Sequence, residues 1–255
     1  MKIGFLQHDV THHAEKNIEC IMSALQKHSF EVLVLPELAI CGYLFSSRNE
    51  LLACAESVPT GASTQRMMSL SEEYSCTIIF GLAEIENNKI YNTAVVVSKG
   101  KYIGKYRKIH LSDFEKRLFD RGTENTIFEV NGIKIGIQIC FDLWFPEISR
   151  EQLRMGADIF CVLANFGGET TYHIAKIRAI ENLTPLVLCN RIGKESIPDM
   201  EAEFLGKSTI IDSSGQRLCI APKEEEFFDC YDIALSQKRA NVICSDFSRE
   251  ISLHY

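Results

Sequence analysis

The stretch that most restricts the fold runs from Ile133 to Glu147: I-K-I-G-I-Q-I-C-F-D-L-W-F-P-E. Ile133, Ile135, Ile137 and Ile139 alternate at period two, which gives them one shared, buried face of a strand. Lys134, Gly136, Gln138 and Cys140 then point to the other face, and the strand runs out at Cys140. Pro146 suits the first turn of a helix that Ser149, Glu151, Leu153 and Met155 continue. A thiol on such a turn is fixed by the core and opens to the space above the strand end. It also lies near helix-terminal N–H groups that stabilise negative charge. The alternative is that Cys140 is simply a small buried hydrophobe.

Composition narrows the function classes. Of the 255 residues, 46% are hydrophobic and 24% charged, the balance of a globular chain able to bury a sizeable core. A formal net charge of -7 with no basic run argues against nucleic acid as a partner. No apolar stretch is long enough to span a bilayer, so no membrane partner is expected. The opening M-K-I-G-F-L-Q-H-D-V turns polar too soon for a secretory signal and reads as a first strand. The ten cysteines stand at positions 20, 41, 54, 76, 140, 161, 189, 219, 230 and 244, with no C-x-x-C among them. That spacing predicts neither a disulfide framework nor a structural metal, and free thiols point to the cytoplasm.

Taken in order, residues 2–7 are a strand, and Ile18, Ile21, Met22 and Leu25 fall at helical spacing within 13–28. The run E-V-L-V-L-P-E is a buried strand stopped by Pro36. Glu37 then lies just past its carboxyl end, the edge at which open α/β sheets bind ligands. A helix over 61–75, a strand at 77–81 and an antiparallel meander follow, with turns at Asn87-Asn88 and Ser98-Lys99-Gly100. The meander ends in Lys108. The pattern then repeats: strands around Asn131-Gly132, a helix from Pro146 to about Gly156 and the strand D-I-F-C-V-L. A helix from Thr170 to Asn182, the strand P-L-V-L-C-N and a second meander complete it. Two halves of one order predict two similar sheets packed together with helices outside, in one domain over 1–255. Residues 236–255 have weak periodicity and read as an arm.

Glu37, Lys108 and Cys140 each fall at or beyond a predicted strand end, and adjacent strands would bring them into one pocket. Three segments make the pattern specific: P-E-L-A-I-C-G-Y (36–43), Y-R-K-I-H-L (106–111) and I-G-I-Q-I-C-F-D-L-W-F-P-E (135–147). They resemble, in order and separation, the signature segments of the nitrilase superfamily of carbon–nitrogen hydrolases. The resemblance continues through 113–122, 177–182, 189–193 and 204–215, nearly the whole chain. It implies a four-layer α-β-β-α sandwich and a Glu37–Lys108–Cys140 triad that needs no cofactor and no metal. In that chemistry Cys140 attacks an amide carbonyl, Glu37 moves the protons, and Lys108 with the Phe141 N–H stabilises the oxyanion. The Lys108 ammonium would favour thiolate character in Cys140 and an ionised Glu37. Glu115 matches a second family glutamate that orients the lysine, with a plain charged turn residue as the alternative. Tyr43, Phe141, Trp144, Asn165 and Phe166 fall where the family lines its pocket, although aromatics beside core strands are as often packing. Relatives associate through the helices after the nucleophile and through the C-terminal segment, which implies a homodimer or a higher homo-oligomer.

Departures bear on substrate. True nitrile hydrolases carry Trp-Glu after the nucleophile; this chain has Phe141-Asp142, closer to amidases and N-carbamoyl amine hydrolases. The segment L-A-N-F-G-G-E-T-T-Y-H lacks the Pro and Trp many relatives place around their Asn, and Cys41 replaces the usual Thr or Ser. The expected substrate is a small linear amide, with an N-carbamoyl amine or a non-catalytic binding role as alternatives. A thiol redox protein pairing Cys140 with Cys161 or Cys189 is a further one. Gly206-Lys207-Ser208 lacks the glycine of a phosphate loop, no G-x-S-x-G occurs, and His8, His12 and His13 read as solvated or capping residues. Arg150, Arg154, Lys176 and Arg178 read as helix-surface ion-pair residues.

Overall fold

Each apolar, β-branched run read above forms a strand, and the amphipathic segments between them form helices in two rounds of one order. The structure, a computed structural model, describes residues 1–235, 240 and 243–252. The first round holds β1 (Lys2–Gln7), α1 (Ala14–Lys27), β2 (Val32–Val34), α2 (Arg48–Cys54), α3 (Ala62–Glu73), β3 (Thr77–Glu86), β4 (Lys89–Ser98) and β5 (Lys101–Arg107). The second holds β6 (Ile127–Val130), β7 (Ile133–Ile139), α4 (Pro146–Arg154), β8 (Ile159–Ala164), α5 (Thr170–Asn182) and β9 (Leu186–Asn190). A small hairpin, β10 (Lys194–Ile197) with β11 (Met200–Glu203), precedes β12 (Thr209–Ile211) and β13 (Arg217–Ile220). Last come β14 (Phe227–Asp232) and α6 (Phe247–Ser252).

The two rounds build sheets of the same topology. One runs β14-β1-β2-β3-β4-β5 and the other, read in the matching direction, β6-β7-β8-β9-β12-β13. In each, three central strands are parallel and the flanking ones antiparallel. The strand that completes the first sheet, β14, comes from the end of the chain and pairs along the whole of β1.

Side-chain alternation sorts the core into layers. Ile3, Phe5, Val34 and Ile79 meet Ile135, Ile137, Ile139 and Leu163 between the sheets. Leu33, Leu35 and Phe80 point the other way, onto Ile21 and Leu25 of α1 and Met67 and Leu70 of α3. On the second sheet Phe160, Val162 and Leu188 face Leu153 of α4 and Tyr172, Ala175 and Ala179 of α5. These contacts make the four-layer α-β-β-α sandwich.

Where the carboxyl ends fall decides where a site can form. A parallel bridge between Asp9 and Ile192, just beyond β1 and β9, joins the two sheets at that edge. Glu37 beyond β2, Lys108 after β5, Cys140 after β7 and Asn165 after β8 all belong to it. Among the described residues no helix is long and apolar enough to cross a membrane. Of the expected arm, 236–239, 241–242 and 253–255 lie outside the described residues, and α6 belongs to the remainder.

Candidate active site

β2 stops at Val34, Pro36 ends the ladder, and the chain turns sharply, with Leu38 at φ +49°. That turn carries Glu37 inward, fully buried. Lys108 follows β5 directly and is held by its own N–H donating to the Asn92 carbonyl (2.9 Å). Its ammonium donates to Glu37 Oε1 at 2.7 Å and to Glu115 Oε1 at 2.6 Å. Glu115 opens a 3-10 turn, where the Ser112 N–H donates to its Oε2 (3.0 Å). Asn92 on β4 donates from Nδ2 to the same two oxygens, Glu37 Oε1 at 2.6 Å and Glu115 Oε1 at 3.2 Å. One buried lysine thus bridges two buried carboxylates, with an amide bracing both.

Sequence reasoning named Glu37, Lys108 and Glu115 but missed Asn92. Its signal was a polar amide inside the otherwise apolar strand Y-N-T-A-V-V-V, facing inward with no exposed surface. Glu37 Oε2 and Asn92 Oδ1 have no hydrogen-bond partner among the described residues.

Cys140 opens a 3-10 turn, Cys140–Trp144, with φ +47°. That left-handed backbone is one a non-glycine residue holds only when its surroundings insist. The Asn165 backbone hydrogen-bonds its thiol, and Glu37, Lys108 and Glu115 all act on it electrostatically. The expected pull of Lys108 on Cys140 and Glu37 is present, but burial sets the net ionisation. Lys108 does favour the thiolate, but burial outweighs it, joined by the negative charge of Glu37, and pushes the Cys140 thiol well up. Burial likewise lifts Glu37 to about 7, with Lys108 opposing and Glu115 adding to the rise. Burial works against the ammonium of Lys108 too, yet Glu115 and Glu37 together hold it well above the usual lysine range. The resting site is therefore a thiol beside a carboxyl poised near neutrality and a permanent cation.

Comparison with known proteins decides the family. The carbon-nitrogen hydrolase model matches residues 3–240. The chain belongs to the carbon–nitrogen hydrolase family of the nitrilase superfamily. It is similar to a nitrilase of Pyrococcus abyssi, 35% identical over 82% of this chain and 78% of that protein. It is also similar to the 2-oxoglutaramate amidase of Bacillus subtilis, 32% identical over 88% of this chain and 87% of that one. Among solved structures, a carbon-nitrogen hydrolase from Helicobacter pylori G27 superposes with a TM-score of 0.80 at 26% identity, over 91% of this chain and 89% of the other. The protein is a cysteine-dependent carbon–nitrogen hydrolase.

The other residues singled out in this hydrolase are placed unevenly. Asn165 is buried, and neither its Nδ2 nor its Oδ1 has a partner among the described residues. Tyr43 lies within electrostatic reach of Glu115, Lys108, Glu37 and Cys140, and stands edge-on to Phe204 at 6.0 Å. Its N–H and that of Leu44 donate to the Glu195 carboxylate, at 3.0 and 2.6 Å, so the β10–β11 hairpin anchors its loop. Phe141 contacts the rings of Trp144 and Phe145. Trp144 is 43% exposed and donates its indole N–H to Thr171 Oγ1. Phe166 is buried in the apolar layer under α5.

Two surface readings are corrected. Arg178 keeps the expected ion pair with Glu181 (2.9 Å) but is buried, and it braces the end of the Cys140 turn, donating to the Leu143 carbonyl (2.9 Å) and the Trp144 carbonyl (3.1 Å). Its helix face is inward because α5 lies along the turn. His8 is fully buried, and burial lowers its imidazole to about 4. Among the described residues no three His, Cys, Asp or Glu side chains come together to hold a metal ion, and no disulfide joins the described cysteines.

Proposed function

We propose that this hydrolase cleaves small linear amides through a thioester on Cys140, with Glu37 carrying protons and Lys108 holding the oxyanion. The observation that carries it is the buried Lys108 bridge with Glu37 Oε2 unpartnered beside a thiol kept protonated at rest. A carboxyl near 7 can take the Cys140 proton as sulfur attacks, then give it to the departing nitrogen. The thiolate forms only as the C–S bond does. Charge on the carbonyl oxygen then develops beside a cation that burial keeps unhydrated, with the Phe141 N–H as second donor. After the amine or ammonia leaves, Glu37 accepts a proton from water as that water attacks the thioester, and sulfur regains its proton. Glu115 holds Lys108 in place and keeps it charged throughout.

Asn165 supplies the substrate contact. A buried amide with both donor and acceptor unused costs about 1–3 kcal/mol, which a polar substrate group would relieve. The similarity to the Bacillus amidase supports an amide over a nitrile, as does Phe141-Asp142 in place of Trp-Glu. An N-carbamoyl amine would follow the same steps and release carbon dioxide as well.

The test is ammonia release across small amides, ω-amides, N-carbamoyl amines and nitriles, with Cys140→Ala as blank. Turnover confined to amides establishes the proposal. Turnover confined to carbamoyl compounds or nitriles transfers the mechanism to that substrate. Silence with an inert Cys140 makes the protein a binding relative.

A further inference from the structure

We propose that Asp142 is a positioning residue, its carboxylate strapping the turn that carries Cys140 to the loop that carries Lys108. The inference rests on the reading that these two residues act together. They come from different sheets: Lys108 follows β5 of the first and Cys140 follows β7 of the second. Apolar contact between sheets is non-directional and does not set a thiol–ammonium distance to a few tenths of an ångström. A hydrogen-bonded strap at the site itself does.

Asp142 is fully buried two residues beyond the nucleophile, and both its oxygens are used. On the first-sheet side, Oδ1 accepts from the backbone N–H of His110 at 2.8 Å and of Ile109 at 3.2 Å, the residues that follow Lys108. It also faces His110 Nδ1 at 3.1 Å, and the His110 ring stacks on Phe145 at 3.6 Å. Oδ2 accepts from the Tyr106 hydroxyl at 2.9 Å, on β5 two residues before Lys108. On the second-sheet side, Oδ2 accepts from the Ile139 N–H at 3.2 Å, the residue before Cys140. The donors therefore flank Lys108 and abut Cys140.

Capping the 3-10 turn alone needs one acceptor, which a serine or asparagine would provide without a buried charge. Only a carboxylate accepts on both oxygens from donors that arrive from two sheets. The same grip holds Cys140 at φ +47°, a conformation that persists only where the surroundings over-determine it.

The experiment uses the full chain as wild type, Asp142→Asn and Tyr106→Phe. It measures the alkylation rate of Cys140 by iodoacetamide, located by peptide mass mapping, and the thermal midpoint. Where the amide panel yields a substrate, kcat and KM are added. Asparagine keeps one oxygen but turns an N–H against the Ile139 donor, so the Cys140 side of the strap is lost. Alkylation and kcat are expected to fall by about tenfold or more, with KM within about twofold, because misplacement by about an ångström is costly in the transition state. Tyr106→Phe removes one bond and is expected to slow alkylation about twofold to fivefold.

A folded Asp142→Asn that alkylates at the wild-type rate, changed only in its thermal midpoint, overturns the proposal. If that variant does not fold, Tyr106→Phe decides: wild-type alkylation in it overturns the proposal, slowed alkylation supports it. Failure of the underlying reading looks different. There the wild-type Cys140 itself is inert to iodoacetamide and no amide is hydrolysed, and the strap has no nucleophile to position.

Discussion

Glu37 is held where its charge is least stable, and the consequence can be read in pH. Burial lifts it to about 7, and only its deprotonated form can accept the Cys140 proton. The acid limb of kcat/KM should therefore rise with pH through about 7. Asn92→Asp would put a third carboxylate against one ammonium, so Glu37 would hold its proton more tightly and the limb should move to higher pH. A limb that stays in place would mean another group sets it. Stability runs the opposite way. A folded-state value raised above the ordinary 4.5 means that Glu37 favours the fold fully below that pH. The contribution is lost as pH rises through about 7. Differential scanning calorimetry should show wild type losing midpoint relative to Glu37→Gln between pH 4.5 and about pH 7, the interval bracketed by the two values, while the variant loses turnover. Cys140→Ser should likewise abolish turnover with an unchanged fold. Full activity in that variant would remove the mechanism.

Elements position these residues through backbone approach as much as through side chains. Gly81 lies in the middle of β3, directly behind the turn that presents Glu37. A Cβ there would sit 2.3 Å from the Leu38 nitrogen and 2.9 Å from the Glu37 carbonyl carbon, both backbone atoms. Gly81→Ala should cost about 1–3 kcal/mol in chemical denaturation, and it should lower kcat by displacing Glu37. Wild-type kcat in that variant would show that the turn is free to move. Much at this scale was legible beforehand. Period-two runs foretold β7 and its inward isoleucines. Asn87-Asn88, Lys99-Gly100 and Asn131-Gly132 are turns with both central φ angles positive, as hairpins require. The seven residues of α2 are too few to establish a helical period. No residue of the β10–β11 hairpin is fully buried, so its strands carry no apolar core face to read. Arg178 looked like a surface residue because burial by a distant segment leaves no local mark. The order of the three motif segments foretold the cluster around Lys108, whereas Asn92 became visible only when β4 was placed beside it.

At the scale of the molecule, the layer outside the second sheet is left apolar where water would reach it. On α5, Ile177 is 50% and Ile180 37% exposed; Met155 at the end of α4 is 37% and Trp144 on the nucleophile turn 43%. Large apolar groups gathered on one layer are what an association surface presents. We expect light scattering to give at least twice the 28.9 kDa of one chain. Ile177→Glu should shift the protein toward monomer without unfolding it, since half of that side chain faces outward. Activity should fall with dimer content, because Arg178 on the same helix holds the Leu143 and Trp144 carbonyls of the turn that presents Cys140. A helix stiffened by a partner would keep that turn in its strained form; a free one would let it relax. Specific activity that rises with protein concentration in wild type, and stays low and flat in Ile177→Glu, is the expected pair of results. A wild-type monomer at working concentration, fully active, would confine the device to a single chain and leave the exposed isoleucines without this role.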